Sequence, residues 1–200
     1  MNLVTTLFVL LTAVLTASCA QFYTPDLTGP TAQIRFVADA PRYTLVGAMA
    51  DEQCGTEGNA GRITALGGTA FRHEEMFAKK HQRIGVPGGG DIPMDLMHEI
   101  NIPAEKNFVF IFRSRVGSYA AGAAVASVVG SGLSTVSTCD LTLSFYPKKD
   151  EQYEVVYRFD GVRCGATLEK VVRTASGEVQ RFKEDSFKKP TQCKYPGWSF

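Results

Sequence analysis

The chain has 200 residues, 44% hydrophobic and 20% charged, with a formal net charge of +1. This balance is ordinary for a folded domain and leaves no electrostatic footprint for nucleic acid or another polyanion. Length alone favours one domain with a substantial core.

Residues 1–18 read as a signal peptide. An uncharged apolar run from Leu3 to Leu15 is too short to span a bilayer, and it ends in Thr16, Ala17, Ser18 and Cys19. Two processing routes fit this junction. The run Leu15-Thr16-Ala17-Ser18-Cys19 resembles a bacterial lipobox, which implies cleavage before a cysteine carrying lipid and hence a membrane anchor at Cys19. It departs from that pattern in placing Leu four residues before the cysteine and in lacking Lys or Arg ahead of the apolar run. Alternatively, Ser18 and Ala20 supply the small positions of an ordinary signal peptidase site, leaving Gln21 first and the product secreted or periplasmic. On the lipobox reading, residues 19–31 form a tether and 32–200 a single exported domain. The absence of Asp after Cys19 then resembles outer-membrane sorting, facing the periplasm or the cell surface.

Past the tether, apolar residues recur with period two and are interrupted by turn formers, the pattern of β structure. Strands are expected at Gln33–Val37, Tyr43–Val46, Arg62–Leu66, Met97–Ile102 and Asn107–Phe112. The last of these is apolar on both faces and therefore central in its sheet. From Cys139 to Val172 the alternation predicts an antiparallel meander of three strands. A tight type I′ turn is expected at Asp160-Gly161, with Val162, Cys164, Ala166 and Leu168 on one face. The fold class is mainly β: an antiparallel β-sandwich or partly open barrel with a short helical or loop insertion.

That insertion is 116–138, uncharged and built mainly from Ala, Gly, Ser and Val. Ser118, Gly122, Ala126, Gly130 and Ser134 make a small-xxx-small face suited to close helix approach in lipid. Its few strongly apolar residues and many Ser, Thr and Gly argue instead for a loop or short packed helix.

The cysteines number five: Cys19, Cys54, Cys139, Cys164 and Cys193. Lipid on Cys19 leaves four for two disulfides in an oxidising compartment, with three possible connectivities. The favoured pairs are Cys139 with Cys164 and Cys54 with Cys193. If Cys139 and Cys164 flanked a common strand, they would stand about 10 Å apart and out of reach, so a bend or a second sheet is required.

No catalytic constellation stands out. The three histidines fall at His73, His81 and His98 beside Glu74, Glu75 and Glu99. His73 and His81, eight apart, share a face only if 74–82 is helical; they are a metal-site alternative without the HExxH spacing of a zincin. Val86-Pro87-Gly88-Gly89-Gly90-Asp91 lacks the Lys-Ser/Thr of a phosphate loop and reads as a flexible turn. No cofactor is implied.

The signal with Cys19, the Ile102-Pro103-Ala104 turn into the Asn107–Phe112 strand, and the Cys139-to-Cys164 region with Tyr153-Glu154-Val155 together resemble small bacterial lipoproteins that carry a disulfide-stapled β domain on a tether. The resemblance implies fold and location, but no activity. The expected function is a membrane-anchored envelope lipoprotein with a non-catalytic binding or structural domain. Its partners would be the lipid bilayer and an envelope protein or peptidoglycan. The alternatives are a periplasmic metal-dependent enzyme using the 73–99 region and a membrane-active protein using 116–138.

Overall fold

The computed structural model describes residues 22–39, 42–49, 61–67, 80–116 and 137–190. Within them the chain forms nine strands: β1 (Thr31–Ala38), β2 (Thr44–Ala48), β3 (Gly61–Leu66), β4 (Met97–Pro103), β5 (Phe108–Val116), β6 (Ser137–Phe145), β7 (Gln152–Phe159), β8 (Cys164–Arg173) and β9 (Val179–Lys183). A single 3-10 turn, Met94–Leu96, precedes β4. Among the described residues the strands make two open sheets, ordered β4-β1-β7-β8-β9 and β3-β2-β5-β6. The architecture is thus mainly β, as the alternation indicates.

The inner faces follow the period-two rule. Ile34 and Phe36 of β1 and Tyr153, Val155 and Tyr157 of β7 meet Phe108, Phe110 and Phe112 of β5 and Leu141, Leu143 and Phe145 of β6 in one apolar core. Aromatic rings lock the sheets together: Phe36 lies edge-on to Phe110 at 5.5 Å, Phe112 stacks on Tyr157 at 4.6 Å, and Phe145 meets Tyr153 at 4.9 Å. Each such pair adds about 0.5–1.5 kcal/mol beyond the area it buries. β5 is flanked by β2 and β6, and its outward Val109 and Ile111 are buried as well. This accounts for its unbroken apolar run.

Three departures from the sequence reading concern connectivity. First, Cys139 to Val172 is not one meander: β6 pairs with β5, while β7 and β8 belong to the opposite sheet. Both arrangements give the same alternation, so local pattern cannot separate them. Second, β1 and β7 run parallel, with Arg35 opposite Glu154, so the sandwich is not wholly antiparallel. Third, the β7–β8 hairpin closes through four residues, 160–163, because Phe159 pairs with Cys164. Asp160 shapes this loop by accepting the backbone N–H groups of Val162 and Arg163, both at 2.7 Å. These two bonds, Arg163 first, hold its carboxyl below the usual carboxylate range. Gly161 takes φ 103°, and Val162 projects into solvent rather than joining the β8 face. The short edge strand β9, half polar, escapes the alternation test altogether.

Placing β6 and β8 in different sheets also answers the distance problem for Cys139 and Cys164. They are joined by a disulfide with Cα atoms 6.2 Å apart, stapling one sheet to the other. Cys54 and Cys193 lie outside the described residues, as do Cys19 and most of 116–138.

The described part of the expected tether runs against the sandwich. Phe22 bridges Arg62, the Tyr23 N–H donates to the Arg62 carbonyl at 2.9 Å, and the Tyr23 ring meets Phe108 at 6.1 Å. Gly61 permits this approach, since a Cβ there would stand 2.5 Å from the Tyr23 backbone.

Candidate functional site

The densest chemistry among the described residues lies on the outer face of the five-stranded sheet. Arg35 sits at the centre of β1 between core residues Ile34 and Phe36, so alternation turns it outward. Register sets Glu99 of β4 opposite it on one side and Glu154 of β7 on the other. The row continues to Glu169 of β8 and Lys183 of β9. Arg35 and Glu99 are each 1% exposed, and Glu154 is 5% exposed.

A loop from Gln82 to Gly90 covers the row and, with Arg181 of β9, supplies the remaining partners. Arg35 Nε donates to Glu99 Oε1 at 2.8 Å, and Nη1 donates to Glu154 Oε2 at 2.6 Å and to the Pro87 carbonyl at 2.9 Å. Nη2 pairs with Glu99 Oε1 and donates to the Val86 carbonyl. Glu99 Oε2 accepts the N–H groups of Ile84, Gly85 and Val86 at 2.5, 2.9 and 3.2 Å. Glu154 Oε1 accepts from Arg181 Nε at 3.1 Å, and Arg181 Nη2 reaches the Gly88 carbonyl at 3.5 Å. Gln82 is tied twice to the Glu99 backbone at 3.0 Å, and Arg83 spans the loop to the Ile92 carbonyl at 2.5 Å.

The Val86–Asp91 stretch is therefore no flexible turn in its first half. Val86, Pro87 and Gly89 are buried against the charged row. Gly89 is required by contact, because a Cβ there would stand 2.4 Å from the Arg35 guanidinium; Gly88 is required by its φ of +74°. A buried ion pair is tolerable only when its remaining hydrogen-bonding capacity is met, and the loop backbone meets it here.

Of the metal alternative, His73 lies outside the described residues. His81 Nδ1 is 3.1 Å from the Met97 carbonyl, and its ring meets that of His98 at 6.2 Å. Residues 80–82 are not helical, so the helical face that would align His73 with His81 does not extend to His81. No group of three His, Cys, Asp or Glu side chains among the described residues is arranged to hold a metal ion. No helix among them is long and apolar enough to cross a membrane.

Sequence reasoning passed over Arg35, Glu154 and Arg181, and saw Glu99 only as a neighbour of His98. No local signal sets them apart: Arg35 lies between Ile34 and Phe36, and Glu154 between Tyr153 and Val155, as an outward charge does on any strand with one face in the core. Towards the other end of β7 a shallow hollow, partly open to solvent, is lined by Ala38, Asp39, Arg42, Thr44, Tyr157 and Phe159. It is too shallow to enclose a substrate-sized ligand.

Comparison with protein-family models, with curated proteins and with solved structures finds no match.

Proposed function

We propose that the chain is an exported envelope lipoprotein, anchored through Cys19, whose β-sandwich is a non-catalytic binding or structural domain. The observation that carries this reading is the fate of the charged row. All three nitrogens of Arg35 and both carboxylate oxygens of Glu99 are engaged with each other or with the loop backbone. A general acid or base must reach a substrate proton at hydrogen-bond distance. This cluster is committed instead to fixing a loop on the sheet, which makes a rigid platform. Stapling by Cys139–Cys164 fits an oxidising compartment. The partner would be an envelope protein or peptidoglycan, met by loops and sheet edges.

The test is the intact mass of the protein from its native membrane fraction, before and after reduction. A diacylglyceryl-bearing chain that starts at Cys19 and gains four hydrogens on reduction supports the proposal. An unlipidated chain starting at Gln21 contradicts the anchor. Stoichiometric metal in the purified protein, or turnover of a hydrolase substrate, contradicts the non-catalytic assignment.

A further inference from the structure

We propose that one end of the sandwich, built from 22–31, the β4–β5 loop and the β6–β7 loop, rests on the lipid headgroup layer. The β7–β8 hairpin tip at Val162 then points away from the membrane. This orientation depends on the Cys19 anchor proposed above.

The argument starts from chain length. Only residues 20 and 21 separate Cys19 from Phe22, so the three Cα-to-Cα steps span at most about 11 Å whatever their conformation. Phe22 and Tyr23 are already fixed to the sandwich at Arg62 and Phe108. The domain therefore cannot swing on a long leash, and the end bearing Phe22 is held close to the lipid.

That end is one knitted surface. The Ala104 N–H donates to the Pro30 carbonyl, Asp150 N–H to the Thr31 carbonyl, and Glu105 N–H to the Pro147 carbonyl, each at 2.8 Å. The Tyr146 hydroxyl donates to the Glu105 carbonyl. Asp26 holds Thr28 by its backbone N–H at 3.1 Å and its hydroxyl at 2.7 Å, so the approach segment is shaped as well.

Its exposed chemistry suits a headgroup layer. Phe22, Leu27 and Tyr146 are 36%, 42% and 39% exposed, apolar bodies of the kind that settle at a membrane interface. Lys148 lies over the Tyr146 ring at 4.7 Å and pairs with Glu105 at 3.8 Å, and Lys149 pairs with Asp150 at 3.9 Å. These pairings leave little net charge, so the contact does not call for an anionic lipid. Val162, 86% exposed, lies beyond the other end of β7, which spans about 27 Å at strand rise.

The experiment uses the lipidated full chain in phosphatidylcholine vesicles containing headgroup spin-labelled lipid. Its single tryptophan is replaced, Trp198→Phe. Reporter tryptophans are then placed one at a time by Leu27→Trp, Tyr146→Trp or Val162→Trp, and each variant is checked by intact mass and circular dichroism. Two reporters at the near end guard against one that perturbs its own loop. The proposal expects a loss of emission at 27 and 146, unchanged emission at 162, and no quenching anywhere in a Cys19→Ala form. Equal quenching at both ends, or stronger quenching at 162, in protein that carries the lipid overturns the orientation while leaving the anchor intact. A mass without lipid overturns the anchor and the orientation with it.

Discussion

Phe110 and Arg35 are equally sealed from water, at 0% and 1% exposure, but for different reasons. Phe110 is enclosed by rings whose contacts are non-directional, so neighbours of the right size and shape can replace one another. Arg35 is enclosed by acceptors that must each point at a nitrogen, and those acceptors are left stranded if it goes. The aromatic layer fixes that there is a sandwich. The charged row fixes where one particular loop lies on it.

Truncation at either place produces the largest effects. Phe110→Ala leaves a cavity between the sheets and costs about 3–5 kcal/mol in chemical denaturation, whereas Phe110→Leu costs much less. Arg35→Ala also costs about 3–5 kcal/mol, because Glu99 and Glu154 are left buried without a counter-charge. The contrast sharpens in the triple replacement Arg35→Met, Glu99→Leu, Glu154→Leu. It recovers most of the stability lost in Arg35→Ala, yet residues 84–90 lose their partners and their protection from hydrogen exchange. Recovery of both together breaks the distinction drawn between the two regions.

The staple comes next. Replacing Cys139 and Cys164 by Ala opens a loop with a sequence separation of 25. It costs about 3.5 kcal/mol by loop-closure entropy, read as a fall in denaturation midpoint. Gly89→Ala tests the fit of loop to row with a single methyl. Its Cβ meets the Arg35 guanidinium, and the repacking costs about 1–3 kcal/mol; a variant as stable as the parent means the loop is not seated as described.

The last effect appears only in alkali and belongs to Tyr23. Burial first, and the Asp26 charge second, push its phenol up to about 12 from 10.0. The folded value lies above the unfolded one, so its contribution is complete below pH 10 and is lost as pH rises toward 12. The alkaline decline in a stability–pH profile is shallower in Tyr23→Phe than in the parent; what remains belongs to Tyr153 and Tyr157, whose phenols burial also raises.

The sequence made strands legible wherever a face alternates against the core. β1, β5 and β7 follow directly from residues such as Ile34, Phe110 and Val155. Sheet membership was not legible, because Leu141 and Val155 show the same alternation whether their strands are neighbours or face each other across the core. The parallel β1–β7 pairing, which puts Glu154 beside Arg35, depends on contacts 119 residues apart and leaves no local trace. For the same reason the charged row was invisible: each member looks like a solvent-facing residue of its own strand. Only the register and the covering loop make it a buried cluster. The glycines at 88 and 89 were visible, but their reasons, a φ of +74° at Gly88 and the Arg35 guanidinium against Gly89, lie in the folded loop.

Native-state hydrogen exchange of the Ile84, Gly85 and Val86 amides tests most directly whether the charged row is committed to holding the loop. The account expects these three amides, all donating to Glu99 Oε2, to be protected nearly as well as those of β5 and to become fast in Glu99→Gln. Fast exchange in the unmodified protein contradicts it: the Glu99 carboxylate would then be accessible, and the cluster would again be a candidate for chemistry.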